Sequence, residues 1–432
     1  MLDEVGSAQV AGGGPVDVVH ERVAGIDIGK ADVKVCVRVP GRRKGSWQRQ
    51  VRTFATMTGD LLRLRDWLQS ERVSLIAMES TGVYWRSVYY LLEDLPGSEC
   101  WLVNAMHIKK VPGRKSDVSD AEWIADLAAH GLIRPSFVPP EPIRQLRDLT
   151  RTRATFVHER TRYVQRLHAE LEDAGIKLSL VASDVMGFSG RAMIEALIGG
   201  ERDPQVLADL AYGRLRRKNA ALTESLTGRF GEHHAFMCRL LLDQIDHLDG
   251  VIDQLSVRVH EALAPFRGLE QRLVTIVGVG QRTAEVIIAE TGGDMAQFPS
   301  PAQLVSWAGL CPGTNESAGK QLSGRTRPGN RWLAAAMGDA AAAAARSRNT
   351  HIGQRHRHLA RRRGKKRAIV ATARCLLEAV WHVSVEGGTY RDLGPDHHLR
   401  KITDSADRAR KAQRLVHDLH LLGYQAVLTP VA

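Results

Sequence analysis

Between Ala31 and Val39 the side chains alternate: Val33, Val35, Val37 and Val39 are set against Asp32, Lys34 and Arg38, the period of two that a β-strand requires. A short apolar strand, Val23 to Ile28, precedes it, and Arg49 to Phe54 reads as a third, so that three strands joined by short turns form a meander. The pattern then changes to a helix in TGDLLRLRDWLQSERV and returns to a strand in SLIAMES. The helix YWRSVYYLLEDL, the strand CWLVNA and a helix from Ser116 to Ala129 follow. Three strands and then α, β, α, β, α predict an α/β, ribonuclease-H-like domain over residues 21–140, with a mixed sheet and helices on both faces.

Pro135, Pro139, Pro140 and Pro142 mark a boundary near residue 140. Beyond it, Leu146, Leu149, Phe156, Tyr163 and Leu167 keep a three-four spacing interrupted by Arg153 and Arg160. Leu241, Ile245, Leu248, Ile252, Leu255, Val259 and Ala262 keep it without interruption. Residues 141–265 are therefore expected to be helical, with two long helices packed as an antiparallel coiled coil around a smaller insert at about 180–230; two core helices of a bundle would show the same spacing. After a second boundary near Pro265 comes LVTIVGVGQRTAEVIIAE, an apolar helix, a Gly278-Val279-Gly280 turn and another apolar helix. This is the form of a helix-hairpin-helix, in which glycines let backbone amides approach a phosphate, although such helix pairs also serve structure alone. Residues 266–385 are expected to form a mainly α-helical C-terminal domain, and 386–432 a helical tail without assigned role.

Composition narrows the class of partner. The 432 residues are 44% hydrophobic and 25% charged, and no apolar run approaches the length of a membrane span, so a soluble protein without a membrane partner is expected. Residues 1–20 lack the basic start and apolar stretch of a secretory signal and read as a flexible leader. Five scattered cysteines without a CxxC pair speak against disulfides and a thiolate zinc site, as in a reducing cytoplasm. The formal charge is +12, and its location matters more than its size. Between Asp339 and Glu378 there is no acid, yet Arg346, Arg348, Arg355, Arg357, Arg361, Arg362, Arg363, Lys365, Lys366, Arg367 and Arg374 fall there. Such a stripe suits a polyphosphate backbone, because each neutralised phosphate releases counterions.

One carboxylate is out of place. Asp27 sits inside the apolar strand VAGIDI, where burying a charge costs several kcal/mol unless something compensates it. Glu79 ends the fourth strand, at the edge where mixed sheets build sites. Asp117 and Asp120, three apart at the start of a predicted helix, would share a face. Four such acids repel one another, but two divalent cations would neutralise them and activate the attacking and leaving oxygens of a phosphodiester. Hard carboxylate oxygens select Mg²⁺, with Mn²⁺ a substitute. Taken singly, Asp117 and Asp120 fit helix-start acids and Glu79 fits the beginning of a loop.

A second candidate lies in GLCPGTNESAGKQLSGRTRPGNRWL. Ser317 stands in a glycine-rich loop with Lys320, Arg325, Arg327 and Arg331 close behind, where cations could hold phosphates while a hydroxyl attacks. Ser and Gly are also ordinary turn residues, and spacing alone does not separate Ser317 from Ser323.

GIDIGKADVKV, MESTGVYW, GRKSDVSDAEWIADL, IVGVGQRTAEVIIAE and AGLCPG…ESAGK…RPGNRWL together resemble the DEDD transposases of the insertion-sequence-110 family, the bridge-RNA-guided recombinases, over roughly residues 22 to 385. The resemblance implies a RuvC-like domain, a coiled coil and a C-terminal transposase domain. It makes Asp27, Glu79, Asp117 and Asp120 the Mg²⁺-binding acids, and Ser317 a nucleophile that forms a phosphoserine link to DNA with the acids of another subunit. It further implies double-stranded donor and target DNA, a structured noncoding guide RNA, and a homo-oligomer, dimer or tetramer, assembled on both. Ser317-Ala318-Gly319 departs slightly from the family's Ser-Gly-Gly or Ser-Ser-Gly and leaves the serine in place.

Two other classes share parts of this pattern. A Holliday-junction endonuclease of the RuvC type would use the same acids on water. An actin-like kinase also opens on a strand with Asp-Ile-Gly, but needs a second phosphate loop and an adenosine motif, which the chain lacks.

Overall fold

The computed structural model describes residues 17–43, 45–80, 82–105, 108, 111, 119–313, 315–317, 320–397 and 405–428. The chain divides into two compact units, one ending at Val138 and one beginning at Pro139.

In the first unit the predicted meander forms, as β1 (Val23–Ile28), β2 (Asp32–Pro40) and β3 (Trp47–Ala55). After helix α1 (Thr58–Ser70) come β4 (Leu75–Glu79), α2 (Trp85–Leu92), β5 (Glu99–Val103) and α3 (Asp120–Ala129). The sheet order is β3-β2-β1-β4-β5, antiparallel among the first three and parallel from β1 to β4 to β5. Both faces are covered. Ala24, Ile26, Ile28, Val33, Val35 and Val37 pack with Leu61, Leu64 and Leu68 of α1, while Val23, Leu75 and Ala77 pack with Trp123, Ile124 and Leu127 of α3. Coverage by α3 explains why Cys36 and Arg38, on the less apolar side of β2, are buried as well.

Helix α3 lies so close to β1 that only glycine fits at position 25: a Cβ there would sit 2.2 Å from the Ala121 carbonyl oxygen and 2.4 Å from the Ala125 nitrogen. Arg49 of β3 also holds α3, donating to both carboxylate oxygens of Asp126 at 2.8 and 2.9 Å. Gly25→Ala is accordingly expected to lower stability by about 1–3 kcal/mol, the cost of an overpacked core position, with activity falling further because α3 must shift. Denaturant unfolding checks this, and a change below about 0.5 kcal/mol would show that α3 is not seated on Gly25.

The expected helix over Ser116–Ala129 begins later. Ser119 is extended, its hydroxyl accepts from the Glu122 amide and the Glu122 carboxylate accepts from the Ser119 amide, so a capping box starts the helix at Asp120. Asp117 lies outside the described residues.

The second unit is mostly helical. Two long helices, α4 (Glu141–Asp173) and, further along, Glu232–Ala262, bracket the insert α5 (Leu178–Val181), α6 (Phe188–Ile198), α7 (Pro204–Asp209), a 3-10 turn (Gly213–Lys218) and α8 (Asn219–Ser225). The second long helix is α9. Asp173 pairs with His234, Arg160 with Asp249, and Arg153 reaches Ser256, so α4 and α9 run antiparallel. There follow α10 (Arg267–Leu273), α11 (Gln281–Thr291), α12 (Pro301–Trp307), a hairpin of β6 (Asn315–Ser317) and β7 (Lys320–Ser323), then α13 (Arg331–Arg346), α14 (His351–Arg363), α15 (Lys365–Glu386) and α16 (Ser405–Leu421). One core gathers Leu146 and Val259 from the long helices with Leu273, Ile287, Leu304, Leu333, Met337 and Leu377.

Helix α15 is, among the described residues, long and apolar enough to cross a membrane by length and composition, which the reading of apolar runs had not anticipated. Its Ala368, Thr372, Ala373, Leu376, Leu377, Val380 and Val383 are buried in that C-terminal core, which accounts for its apolarity.

Candidate active site

Strand β1 carries Asp27 opposite Lys34 of β2, and Ile26 pairs with Met78 of the parallel β4. Asp27 and Glu79, each one residue further on, thus end neighbouring strands, on the α3 side of the sheet shared with Gly25 and Ala77. Helix α3 starts at Asp120 over that same edge, and the helix dipole favours an acid at its first position. Burial raises the Asp27 carboxyl above the usual carboxylate range, and the Asp120 carboxylate raises it further. Lys34 opposes the shift, as does a hydrogen bond from the Ile28 amide. Asp27 and Asp120 therefore face one another closely enough to repel, with Glu79 on the adjacent strand end. No group of three or more His, Cys, Asp or Glu close enough to hold a metal occurs among the described residues. What the geometry offers a hard cation is a like-charged pair, half-buried Asp27 and exposed Asp120, whose mutual repulsion a divalent ion would relieve.

The expected glycine-rich loop is a hairpin. Ser317 ends β6 and pairs with Lys320, whereas Ser323 pairs with Asn315 at the other end of the ladder. Its neck is closed by a bridge between Pro312 and Thr326, by the Gly313 amide on the Arg325 carbonyl (2.8 Å) and by the Asn330 amide on the Trp307 carbonyl (3.1 Å). Gly329 packs against Gly309, where a Cβ would meet the Gly309 nitrogen at 2.3 Å. Arg325, Arg327 and Arg331 are exposed beside this neck.

Behind the hairpin lies an ion network that the sequence reading did not find. Glu290 of α11 is fully buried, takes both arms of Arg151 at 2.7 Å, and accepts from the Asn330 side chain, also at 2.7 Å. The same Asn330 caps α13, its oxygen accepting from the Trp332 and Leu333 amides. Arg147 donates to the carbonyls of Ala289 and Glu290, and Arg153 pairs with buried Glu285. Glu290 thus ties α4, α11 and the start of α13 together, beside a cleft of about 360 Å³ lined by Arg151, Arg153, His158, Arg282 and Trp332. Removing one member leaves buried charge without a partner. Glu290→Ala is expected to cost about 3–5 kcal/mol in denaturant unfolding, and a loss below about 1 kcal/mol would show that the network contributes little. Arg153 interrupts the apolar spacing of α4, and Glu285 and Glu290 interrupt the apolar AEVIIAE; those were the signals.

A turn precedes α11, but the apolar helix expected over LVTIV is not there: the preceding helix ends at Leu273, residues 274–280 are turn and loop, and the two glycines of that turn differ. Gly278 has φ +87°, and a Cβ would lie 2.4 Å from the Ala340 carbonyl oxygen, so α13 requires glycine there for packing. Gly280 is exposed, with open space where a side chain would go, and caps α11.

In the basic stripe, Arg361, Arg362, Arg363, Lys365, Lys366 and Arg367 are all exposed around the α14–α15 junction. Two further members have partners within the chain: half-buried Arg357 donates to the Ser347 and Arg348 carbonyls, and exposed Arg374 forms a surface pair with Glu378 at 2.9 Å.

A family model described as a transposase, the DEDD transposase of IS110, matches residues 24–176, and one described as the transposase of the IS116/IS110/IS902 family matches residues 270–357. The chain belongs to the IS110 family of transposases. Among curated proteins, the transposase for insertion sequence element IS1111A of Coxiella burnetii is 26% identical over 331 residues, 74% of this chain and 80% of that protein. The insertion element IS900 uncharacterized 42 kDa protein of Mycobacterium paratuberculosis is 26% identical over 298 residues, 64% of this chain and 73% of that protein. The solved structure of Thermus thermophilus RuvC covers 27% of this chain and 99% of its own at 17% identity, with a TM-score of 0.20, a likeness too loose to carry an argument. Within the IS110 match, the first stretch contains Asp27, Glu79, Asp117 and Asp120, and the second contains Gly278, Gly280, the Ser317 hairpin and Arg331. As a transposase of this family the protein is an enzyme that acts on DNA.

Proposed function

We propose that this transposase excises and inserts its element by transesterification, with Ser317 as nucleophile and Asp27, Glu79, Asp117 and Asp120 as the acids that hold Mg²⁺, for which Mn²⁺ can substitute. The observation that carries the reading is the repulsion between Asp27 and Asp120 beside Glu79, in a chain of a DEDD transposase family. A bound divalent ion would supply charge neutralisation and activation of phosphodiester oxygens. The chain's own residues do the rest. Ser317 Oγ forms a bond to phosphorus as one P–O bond of the strand breaks, and its proton passes to water or to the departing oxygen. Lys320, Arg325, Arg327 and Arg331 hold flanking phosphates, and each transfer conserves a phosphodiester, so no ATP is needed.

The exposed cations from Arg361 to Arg367 support binding to double-stranded donor and target DNA, and the open Gly280 end of α11 is read as the phosphate contact of a helix-hairpin-helix. The antiparallel α4–α9 pair is read as the coiled coil of a homo-oligomer that acts in the cytoplasm under a structured guide RNA. In this reading the domains are 21–140, 141–265 and 266–385, with the tail at 386–432.

The test is excision of the element from donor DNA by the purified protein with its flanking RNA. Activity is expected with Mg²⁺ or Mn²⁺ and lost on chelation, with protein retained covalently on the DNA. Hydrolysed ends without any protein–DNA adduct would replace this reading with that of a junction endonuclease.

A further inference from the structure

The insert between α4 and α9 packs Leu178, Met193, Ile194, Leu207, Leu222 and Phe230 into a core shared with Leu167 and Leu171 of α4 and Leu242 and Ile245 of α9, yet leaves two aromatic rings outside it. Phe188 is 80% exposed and Tyr212 70%, and their ring centroids lie 5.9 Å apart with planes crossing at 69°. The pairing is anchored at the backbone, where the Tyr212 amide donates to the Ser189 hydroxyl at 2.9 Å. Folding gives no reason to hold a phenylalanine ring in water, since burial of apolar area is favourable at about 25 cal/mol per Å².

Cations surround the rings. The 3-10 turn that begins just after Tyr212 exposes Arg214, Arg216, Arg217 and Lys218, and no acid occurs between Asp209 and Glu224. Lys218 reaches back to the Val181 carbonyl at 2.9 Å, which brings the turn against the segment leading to Phe188. The nearest acids in sequence are engaged: Asp209 accepts from Gln205 and Asn219, and Asp184 from the Met186 amide. This segment lies between the two stretches matched by the family models.

We propose that the Phe188–Tyr212 face, with the Arg214–Lys218 turn, binds an unpaired nucleic-acid strand, the rings stacking on bases and the cations tracking phosphates. A ring face accepts any base, so such a site needs no sequence, and bases in a duplex have no free face to offer. Arginine and aromatic rings also occur at protein interfaces, but a turn with four cations and no acid carries charge of one sign, which suits a phosphate strand, and the oligomer's mass enters the test as the alternative. The inference does not depend on the acids or on Ser317, since binding requires no cleavage.

The experiment uses the full-length protein with twelve-residue oligouridine and oligothymidine carrying photoreactive bases, alongside a blunt DNA duplex of equal length. Irradiation should join a base to the peptide containing Phe188 or the one containing Tyr212, as mapped by mass spectrometry. The double variant Phe188→Ala/Tyr212→Ala should weaken single-strand binding about tenfold to a hundredfold, the scale of base–aromatic stacking, while Phe188→Trp/Tyr212→Trp retains it and duplex affinity stays unchanged. Binding by either single strand supports the proposal, and the stronger arm identifies RNA or DNA. It is overturned if crosslinks fall only elsewhere and the alanine pair binds as the parent does, or if duplex affinity falls equally. It is also overturned if the alanine pair changes the oligomer's mass and leaves strand affinity intact, which would make the patch a protein interface.

Discussion

Asp27→Ala is expected to reduce excision of the element by at least about a thousandfold, the loss of about 4 kcal/mol of transition-state stabilisation that a metal-holding carboxylate represents. The fold should survive. Asp27 stands among buried Ile26 and Ile28 on a strand whose partners on both sides are in register, and its ionised form is disfavoured there by burial and by Asp120. With a folded-state pKa raised above its unfolded value, the carboxyl contributes stability only while protonated, and that contribution is lost as pH rises through the folded pKa. Above the ordinary carboxylate range the raised pKa is therefore a burden on the folded state, and the metal-free Asp27→Asn protein should melt at the same temperature as the parent or higher. Adding Mg²⁺ should raise the melting temperature of the parent more than that of Asp27→Asn. Excision is read from the resealed donor junction and stability from thermal unfolding. An alanine variant that excises within about tenfold of the parent would remove Asp27 from the chemistry.

The expected opposition of activity and stability at Asp27 has the same source as its visibility in the sequence. A charge inside an apolar strand breaks the local pattern without local compensation, and such breaks concentrate at functional sites. The surrounding strands could be read because their signal is local: alternation in β2 places Val33, Val35 and Val37 on the α1 face. The start of α3 was readable too, since Ser119 and Glu122 stand at capping-box spacing, but the expected helix began at Ser116 instead.

The second unit hid more, for physical reasons. The strands around Ser317 have three and four residues, with a bulge between Asn315 and Glu316, too short for any period to show. Glu290 and Arg151 are 139 residues apart, and no local rule couples them. Glu290 left a trace only as a polar interruption of an apolar helix, Arg151 left none, and an interruption does not name its partner. The basic stripe was visible as composition, yet composition could not separate Arg361–Arg367, which face solvent, from Arg357, which is half-buried and holds the Ser347 and Arg348 carbonyls.

Ser317→Ala is expected to abolish both the covalent protein–DNA adduct and excision, with a rate loss of at least about a thousandfold, as when an enzyme's attacking group is removed. The hairpin supplies its own control. Ser317 ends β6 opposite Lys320, whereas Ser323 lies across from Asn315 at the other end of the ladder. Ser317 and Ser323 stand at opposite ends of a ladder whose neck is held by Pro312–Thr326 and Gly313–Arg325, so the two backbone positions do not coincide. Ser323→Ala should therefore keep the adduct and most of the activity. Each protein is incubated with donor DNA and Mg²⁺, quenched in detergent, and resolved for DNA that migrates with protein; DNA binding is measured in parallel and should be unchanged in both variants. In the proposed roles binding rests on the exposed cations rather than on a hydroxyl, so a loss restricted to the adduct would isolate the chemical step. Loss of the adduct in Ser323→Ala with its retention in Ser317→Ala would move the nucleophile to the far end of the hairpin. Its retention in both variants, with excision intact, would leave the acids alone to cut DNA through water.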